Sequence, residues 1–448
     1  MDFAQRARNH SYHIDPIVRS LLDTDFYKLL MLQFIWKNYA NVPVSFAMTN
    51  RTKKVHLVDH VDLSLLREHL DYIQKLSFQA TEIAWLRGQS FYGQFGLFEE
   101  GFLDELRTFK LGSYLLEEEV VNGEKTGQIR LEFEGSWMES TMWEIYALTT
   151  VNELRYRSLM KKMNLSQLDI MYSRAKVKLY DKLIRLRSLE NLNLTDFGTR
   201  RRHSFLWQEH CVTTAKEVLG SNFTGTSNAL LAMRHNLEAK GTNAHELPMV
   251  IAALAKNDEE LAQAQYRVLA EWEQVYRQGL LVMLPDTFGT TQFLEGLSPI
   301  KGRSWKGARP DSKNPYEAGE ELLNYWHRVD GGNVENKLII FSDGLDVALP
   351  HWTPQGEDIV SLYKHFYGKA QLGFGWGTML TNDFLGAHPL DADAMAPLSL
   401  VCKVKEVDGR SAVKLSDNYT KATGTPEEIE RYRKVFGSKG MKGIPVKV

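Results

Sequence analysis

An α/β sheet or barrel, preceded by a mixed α+β region and followed by returning strands, is the fold class this sequence predicts. Three observations predict it. From Trp137 two long helical stretches lead into a series of short apolar runs, each ending in small or polar residues and mostly separated by helical segments. Before Trp137 the chain reads as helix, strand, helix and hairpin. From about Leu398 strand-like runs return. The expected divisions are residues 1–136, 137–397 and 398–448.

Asp23 and Thr24 stand where they can cap a helix whose apolar positions, Phe26, Leu29, Leu30 and Phe34, repeat at helical spacing. Residues 42–48 read as a strand ending at Thr49-Asn50-Arg51-Thr52, and 61–86 as an amphipathic helix. Alternation over 112–133 about Asn122-Gly123 is a hairpin signal, because these residues tolerate the positive φ of a tight turn. Helices are expected over 140–163 and 165–189. The apolar runs then end in Asp196-Phe197-Gly198, Gly225-Thr226-Ser227-Asn228 and Gly241-Thr242-Asn243-Ala244-His245-Glu246. They continue at 281–287, 307–312, Ser342-Asp343-Gly344 and Gly373-Phe374-Gly375-Trp376-Gly377-Thr378. In such an architecture the loops after strands gather at one face. Strands at 398–407 and 411–415 flank the turn Asp408-Gly409, and a basic tail follows from Lys434. A doubly wound open sheet is the alternative, but no Gly-x-Gly-x-x-Gly opens a helix in the first βα unit.

The 448 residues, 43% hydrophobic and 25% charged, suit a soluble globular protein of two domains. A net charge of -2 excludes a general attraction for nucleic acid or anionic membrane, so any basic site is local. Cys211 and Cys402 form neither a disulfide framework nor a zinc spacing, which fits a reducing cytoplasm. The polar start, residues 1–15, has no apolar signal region, and no run of about 18 apolar residues predicts a membrane span.

The most informative stretch is Asp196-Phe197-Gly198-Thr199-Arg200-Arg201-Arg202-His203-Ser204. A strand end, a glycine turn, three arginines and a helix start suit an anionic, phosphorylated ligand, and Phe197 adds an aromatic face. His245 follows Gly241-Thr242 at a strand end and precedes Glu246, which could orient its ring. Imidazole serves as acid, base or phosphoryl acceptor. Met249 removes the two-histidine zincin reading. The loop 373–378 suits a phosphate, Asp343 a ribose hydroxyl or a metal-bound water, and Arg309-Pro310-Asp311-Ser312 places a guanidinium beside a carboxylate. Neither a phosphate-binding Gly-x-x-x-x-Gly-Lys loop nor the kinase catalytic loop occurs. The inventory fits transfer chemistry on a small phosphorylated sugar or nucleotide.

Six ordered motifs, spread over roughly residues 20 to 425, resemble nicotinate phosphoribosyltransferase. They are Leu22-Asp23-Thr24-Asp25-Phe26-Tyr27-Lys28, the arginine loop, Gly225-Thr226-Ser227-Asn228, Gly241-Thr242-x-Ala244-His245-Glu246, Phe341-Ser342-Asp343-Gly344-Leu345-Asp346, and the loop from Gly373 to Thr381. The resemblance implies an irregular α/β barrel with an N-terminal mixed α+β domain completed by C-terminal strands that pack on it, and a homodimer with shared active sites. It also implies attack of nicotinate on C1 of 5-phosphoribosyl 1-diphosphate, with ATP and Mg2+ required and ATP hydrolysed through a phosphohistidine at His245. Asp311 and Glu246 are the other residues expected at the chemistry, with Asp311 near the metal or ribose. Phe197 and Tyr27 of the other subunit are expected to sandwich the pyridine ring. Arg309, Thr226 and Ser227 would lie near the ring substituent. Asp343, Gly344, Gly375, Gly377 and Thr378 would hold the ribose and 5-phosphate, and Arg51, Arg200, Lys403, Lys414 and Lys421 the phosphate or diphosphate. Arg201 and Arg202 have no assigned role beyond the pairing of one with a carboxylate. Lys313-Asn314 departs from the Gly-Asp common in the family, which puts loop shape and metal contact in question. The alternatives are a nicotinamide phosphoribosyltransferase, disfavoured by the Gly225-Thr226-Ser227-Asn228 segment because that enzyme has an aspartate in this neighbourhood that would repel a carboxylate, and a non-catalytic nucleotide-sensing protein.

Overall fold

The computed structural model describes residues 12–91, 94–277, 279–331, 334–351 and 354–443. The first eleven residues of the polar start and the last five of the basic tail fall outside that range.

The first sheet is antiparallel and five-stranded, in the order Arg410–Ser411, Leu400–Val407, Pro43–Asn50, Glu124–Ser136, Ser113–Val121. Pro43–Asn50 buries every second residue, so Val44, Phe46 and Met48 form one inward face. Phe46 stands opposite Val404 and Met48 opposite Cys402, so a strand from near the C-terminus pairs with the central strand of the N-terminal sheet. Asn122 and Gly123 close the hairpin with φ of 54° and 84°, the positive values a two-residue turn requires.

The second sheet is parallel and six-stranded, in the order Phe223–Thr226, Leu194–Asp196, Gln371–Trp376, Leu338–Phe341, Gly307–Ala308, Val282–Met283. Residues 238–240 extend its open edge: the Thr226 N–H donates to the Glu238 carbonyl at 3.2 Å, and the Lys240 N–H to Thr226 at 3.0 Å. Thr195, Val282, Leu338 and Ile340 face a common cavity, which makes the sheet an irregular barrel. Every strand runs the same way, so the loops after them collect at one mouth.

Three local expectations change. The first long helix, Phe26–Asn38, has Asp25 as its N-cap, whose carboxylate accepts from Ser227 Oγ and makes no cap bond, and Asp23 is bonded to Arg202 instead. Residues 61–86 form two helices, Leu63–Lys75 and Ala80–Arg87, broken at the extended Leu76. Past the break Phe78 is buried 5.8 Å from the Phe109 ring, a contact a continuous helix would redirect. After the turn Asp408-Gly409 only Arg410–Ser411 pairs as strand. The long helices are Trp143–Met160 and Leu165–Arg187. Among the described residues no helix is long and apolar enough to cross a membrane.

Candidate active site

Two adjoining cavities, of about 190 and 150 Å3, open at the barrel mouth and share Tyr27, Phe197, Arg200, Ala244, His245, Arg309 and Asp311. The inner one reaches down between the strands and is bounded by Thr195, Val282, Ile340 and the loop 240–243. The outer one lies between the barrel mouth and the N-terminal sheet, where Arg51, Arg201, Lys403, Lys414 and Lys421 line it with Asp343, Gly344, Gly377 and Thr378.

Phe197 and Tyr27 reach the shared region by different routes. Phe197 follows the Leu194–Asp196 strand, and its N–H donates to the Trp376 carbonyl at 2.9 Å. Asp196 fixes the turn beneath it, accepting from the Gly198 N–H at 2.8 Å, Gln208 Nε2 at 2.9 Å and Thr226 Oγ1 at 2.7 Å. Burial pushes the Asp196 carboxyl up to about 6. Gly375 lies under the Phe197 ring, where an added Cβ would stand 3.1 Å from Phe197 Cδ2 and 3.2 Å from Ser342 Cβ. Tyr27 sits one residue into its helix, whose start docks on the barrel through a 2.6 Å bond from the Phe26 N–H to the Ser227 carbonyl. Gly241 permits that approach, since a Cβ there would lie 2.6 Å from the Tyr27 nitrogen. Tyr27 therefore comes from the same chain as Phe197, which corrects the expectation that a second subunit supplies it. The helix start is tied to the barrel by its own loop, so one chain assembles the aromatic pair.

His245 is placed by three neighbours. Its Nδ1 is 2.9 Å from Thr287 Oγ1, and its Nε2 lies 3.1 Å from Asp311 Oδ2 and 3.5 Å from Asp286 Oδ1. The tautomer that satisfies these contacts carries its proton on Nε2 and leaves the Nδ1 lone pair to accept from the threonine. Burial lowers the His245 pKa, with Asp286 opposing, so the ring is held neutral. Burial would raise the Asp311 carboxyl, but the His245 hydrogen bond and the Arg309 and Lys414 charges hold it well below the usual range. Arg309 donates to the Asn243 carbonyl at 3.0 Å, Asp311 at 3.2 Å and Ser342 at 3.3 Å, which fixes its guanidinium at the junction.

The outer cavity is a crowd of like charges. Burial, with Lys414 and Arg51 nearby, lowers the Lys403 ammonium well below its ordinary value. Burial and the neighbouring Arg200 hold Arg201 down at about 10. Lys414 pairs with Asp286 at 3.7 Å, and Lys421 with Asp343 at 2.6 Å. Cations that repel one another in a partly enclosed space are stabilised by a polyanion, which is what such a cavity selects.

A cation also has a place here. Ligating atoms of His245, Asp286 and Asp311 lie within 4.8 Å of one another, and Asp286 Oδ1 is buried without a hydrogen-bond donor. A buried carboxylate oxygen with no donor fits a hard ion, and two carboxylates plus substrate phosphates are what magnesium takes.

Several expected site residues do other work. Glu246 does not orient His245. It accepts from Lys28 Nζ, Trp137 Nε1 and Thr141 Oγ1, each at 2.6 Å, and so ties the barrel to the N-terminal domain. Thr226 and Ser227 line neither cavity: both are fully buried, bonded to Asp196 and to Asp25 at 2.6 Å. Gly375 lines the inner cavity, away from the phosphate loops. Of Arg201 and Arg202, it is Arg202 that pairs with a carboxylate, meeting Asp23 through two 2.7 Å bonds. Arg201 faces the outer cavity and donates to the Leu400 carbonyl at 3.0 Å. The departure at 313–314 leaves the loop intact: Asn314 caps the Pro315–Asp330 helix as an aspartate would, and Lys313 turns away to Glu321 and Thr291.

Asp286, Thr287 and Glu144 escaped the sequence reading. Asp286-Thr287 sits at the end of an apolar run, a placement that could have marked it. Glu144, which bridges Lys28 at 2.7 Å and Arg200 at 3.3 Å, lies within a helix and carries no local signal.

The family model described as the nicotinate phosphoribosyltransferase (NAPRTase) family matches residues 192–439, and that of its N-terminal domain matches 22–152. Among solved structures, a nicotinate phosphoribosyltransferase from Vibrio cholerae is 29% identical with a TM-score of 0.81, covering 95% of both chains. One from Porphyromonas gingivalis is 25% identical with a TM-score of 0.78, over 94% of this chain and 100% of that one. A putative one from Saccharomyces cerevisiae is also 25% identical at 0.78, over 95% of this chain and 100% of that one.

Proposed function

We infer, since the chain belongs to the nicotinate phosphoribosyltransferase family, that it transfers the 5-phosphoribosyl group of 5-phosphoribosyl 1-diphosphate to nicotinate in NAD salvage, and that ATP hydrolysis through His245 drives the transfer. The observation that carries this reading is the joining of an aromatic-walled inner cavity to a cation-lined outer one at Arg309, His245 and Asp311. Arg200, Arg309 and Lys240 line the inner cavity, the last paired with Glu238, while Asp311 is its one acid among the described residues. That balance favours a pyridine bearing a carboxylate over its amide.

The ring nitrogen of nicotinate attacks C1 of the donor, the bond to diphosphate breaks, and the electron pair leaves on the diphosphate. No proton moves, because the pyridine lone pair forms the bond. Tyr27 and Phe197 hold the flat ring, and Arg51, Arg200, Lys403, Lys414 and Lys421 stabilise the charge that grows on the leaving group. Asp311 and Asp286 would hold magnesium, which supplies charge neutralisation to the phosphate oxygens. In the ATP half-reaction His245 Nδ1 displaces ADP from the γ-phosphorus, while Nε2 keeps its proton and donates it in a hydrogen bond to Asp311. The phosphoryl group brings three strong acceptor oxygens beside the outer cavity and changes how anions sit there. Water then releases phosphate.

The test is incubation with the donor and either nicotinate or nicotinamide, with and without ATP. Mononucleotide is expected from nicotinate and stimulated by ATP. Product from nicotinamide alone overturns the substrate assignment, and tight binding without product favours a sensor.

The acid limb of the ATP-stimulated rate is also fixed in direction. Protonation removes the Nδ1 lone pair, and burial moves that event below the ordinary value of 6.5. ATP stimulation is therefore expected to hold steady from pH 8 to 6.5 and to fall only below it. An acid limb centred above pH 7 contradicts the neutral-ring assignment.

A further inference from the structure

The motif from Ser342 to Asp346 ends in an acid that reaches neither cavity. Asp346 is fully buried against the ammonium of Lys182, and the same ammonium lies 2.7 Å from Oδ2 of Asp383. Asp346 follows Asp343-Gly344, and Asp383 follows Gly377-Thr378. One nitrogen thus joins the two outer-cavity loops that follow the neighbouring strands Leu338–Phe341 and Gln371–Trp376. Lys178, a turn earlier on the Leu165–Arg187 helix, meets the other oxygen of Asp383 at 2.9 Å and the Leu385 carbonyl at 2.6 Å. Asp346 also accepts from the N–H groups of Val347 and Gln355, each at 2.8 Å. The Lys182 ammonium lies 5.8 Å from the ring centre of Trp376, the residue before Gly377.

We propose that Lys182 is a positioning residue that fixes the spacing of the Asp343-Gly344 and Gly377-Thr378 loops and so sets affinity for the phosphoribosyl donor. This rests on reading the outer cavity as the donor site. Two lysines and two aspartates cancel, so the cluster adds no net charge to the anion site, and its effect is geometric. Four buried charges are also poorly explained by stability, because well-packed apolar residues often do as well or better. Direction is what the cluster supplies: charge-assisted bonds hold both loops at once at defined angles. A displacement of about 1 Å in groups that position a substrate can cost on the order of 100-fold.

Lys182→Met paired with Asp346→Asn removes the bridge without stranding a charge, since Asp383 keeps Lys178. This variant is expected to bind 5-phosphoribosyl 1-diphosphate ~10- to 100-fold more weakly by calorimetry, with nicotinate KM and kcat within about threefold. Lys178→Met leaves the bridge standing and is expected to stay within about threefold of the parent. Donor affinity unchanged in a cooperatively melting double variant overturns the proposal, as does equal weakening of both substrates. Should that variant not fold, Lys182→Arg serves, because the planar fork cannot reproduce a point ammonium. A donor KM raised at least about threefold supports the clamp, and an unchanged one overturns it. A parent protein that binds no donor refutes the reading of the cavity instead. Amide exchange over 343–346 and 377–383 then tests the clamp by itself, with faster exchange expected in the double variant and unchanged exchange overturning it.

Discussion

His245→Ala is expected to abolish ATP stimulation while leaving a slow, ATP-independent transfer. The substitution removes the one imidazole at the junction of the two cavities, and Tyr27, Phe197, Arg309 and the outer cations stay in place. Groups that act as an activated nucleophile carry factors on the order of 1,000-fold or more, so the stimulated component should fall to the unstimulated rate. The residual activity follows from what remains, since positioning and charge stabilisation of the diphosphate do not pass through the ring. Alanine also strips a partner from Asp286 and Asp311, so His245→Gln is the companion variant that keeps a polar group in that space. Incubation with ATP labelled in its γ-phosphate should mark the parent with an acid-labile phosphate and leave both variants unlabelled. Unchanged ATP coupling in either variant removes the histidine from the mechanism.

Arg202→Met is expected to cost about 3–5 kcal/mol of stability, the range for breaking a buried pair from one side. Arg202 is fully buried, Asp23 is 2% exposed, and the two bonds between them are each 2.7 Å. With the guanidinium gone, Asp23 keeps only the Asn228 amide at 2.8 Å, too little for a desolvated carboxylate. Lysine is no substitute, because a point ammonium cannot match the bidentate geometry. The pair also joins the segment that carries Tyr27 to the arginine loop after Phe197, so its loss should raise the nicotinate KM as well. Thermal melting of parent and variant at one pH measures the cost, and a melting temperature within a degree of the parent contradicts it.

Much of the site was legible because the chemistry sits in runs of sequence. Phe197, His245, Arg309, Asp311, Asp343, Gly377 and Thr378 each lie in a loop after an apolar run, and a parallel barrel delivers such loops to one mouth. The less legible part concerns where side chains turn. Glu246 adjoins His245 in sequence, yet the helix that starts between them sends its carboxylate to Lys28 and Trp137. Thr226 and Ser227 stand in a motif beside the site, but their hydroxyls are spent on Asp196 and Asp25. Adjacent residues on a turn or helix start point in different directions, so sequence neighbourhood does not fix contact.

The sequence by itself determined the strand-and-loop order, the six motifs and the identity of most groups at the mouth. The order follows from periodicity and spacing, and most of the groups at the mouth from the resemblance that the motifs carry. Only the tertiary structure decided which of three consecutive arginines faces the ligand cavities and which is locked to Asp23. It also decided that Asp286 and Thr287, distant in sequence, complete the surroundings of His245, and that one chain supplies both aromatic walls. The physical reason is the same in each case. Burial penalises an unpaired charge so heavily that partners are chosen by packing across the whole chain, and that choice is not written in any local stretch of it.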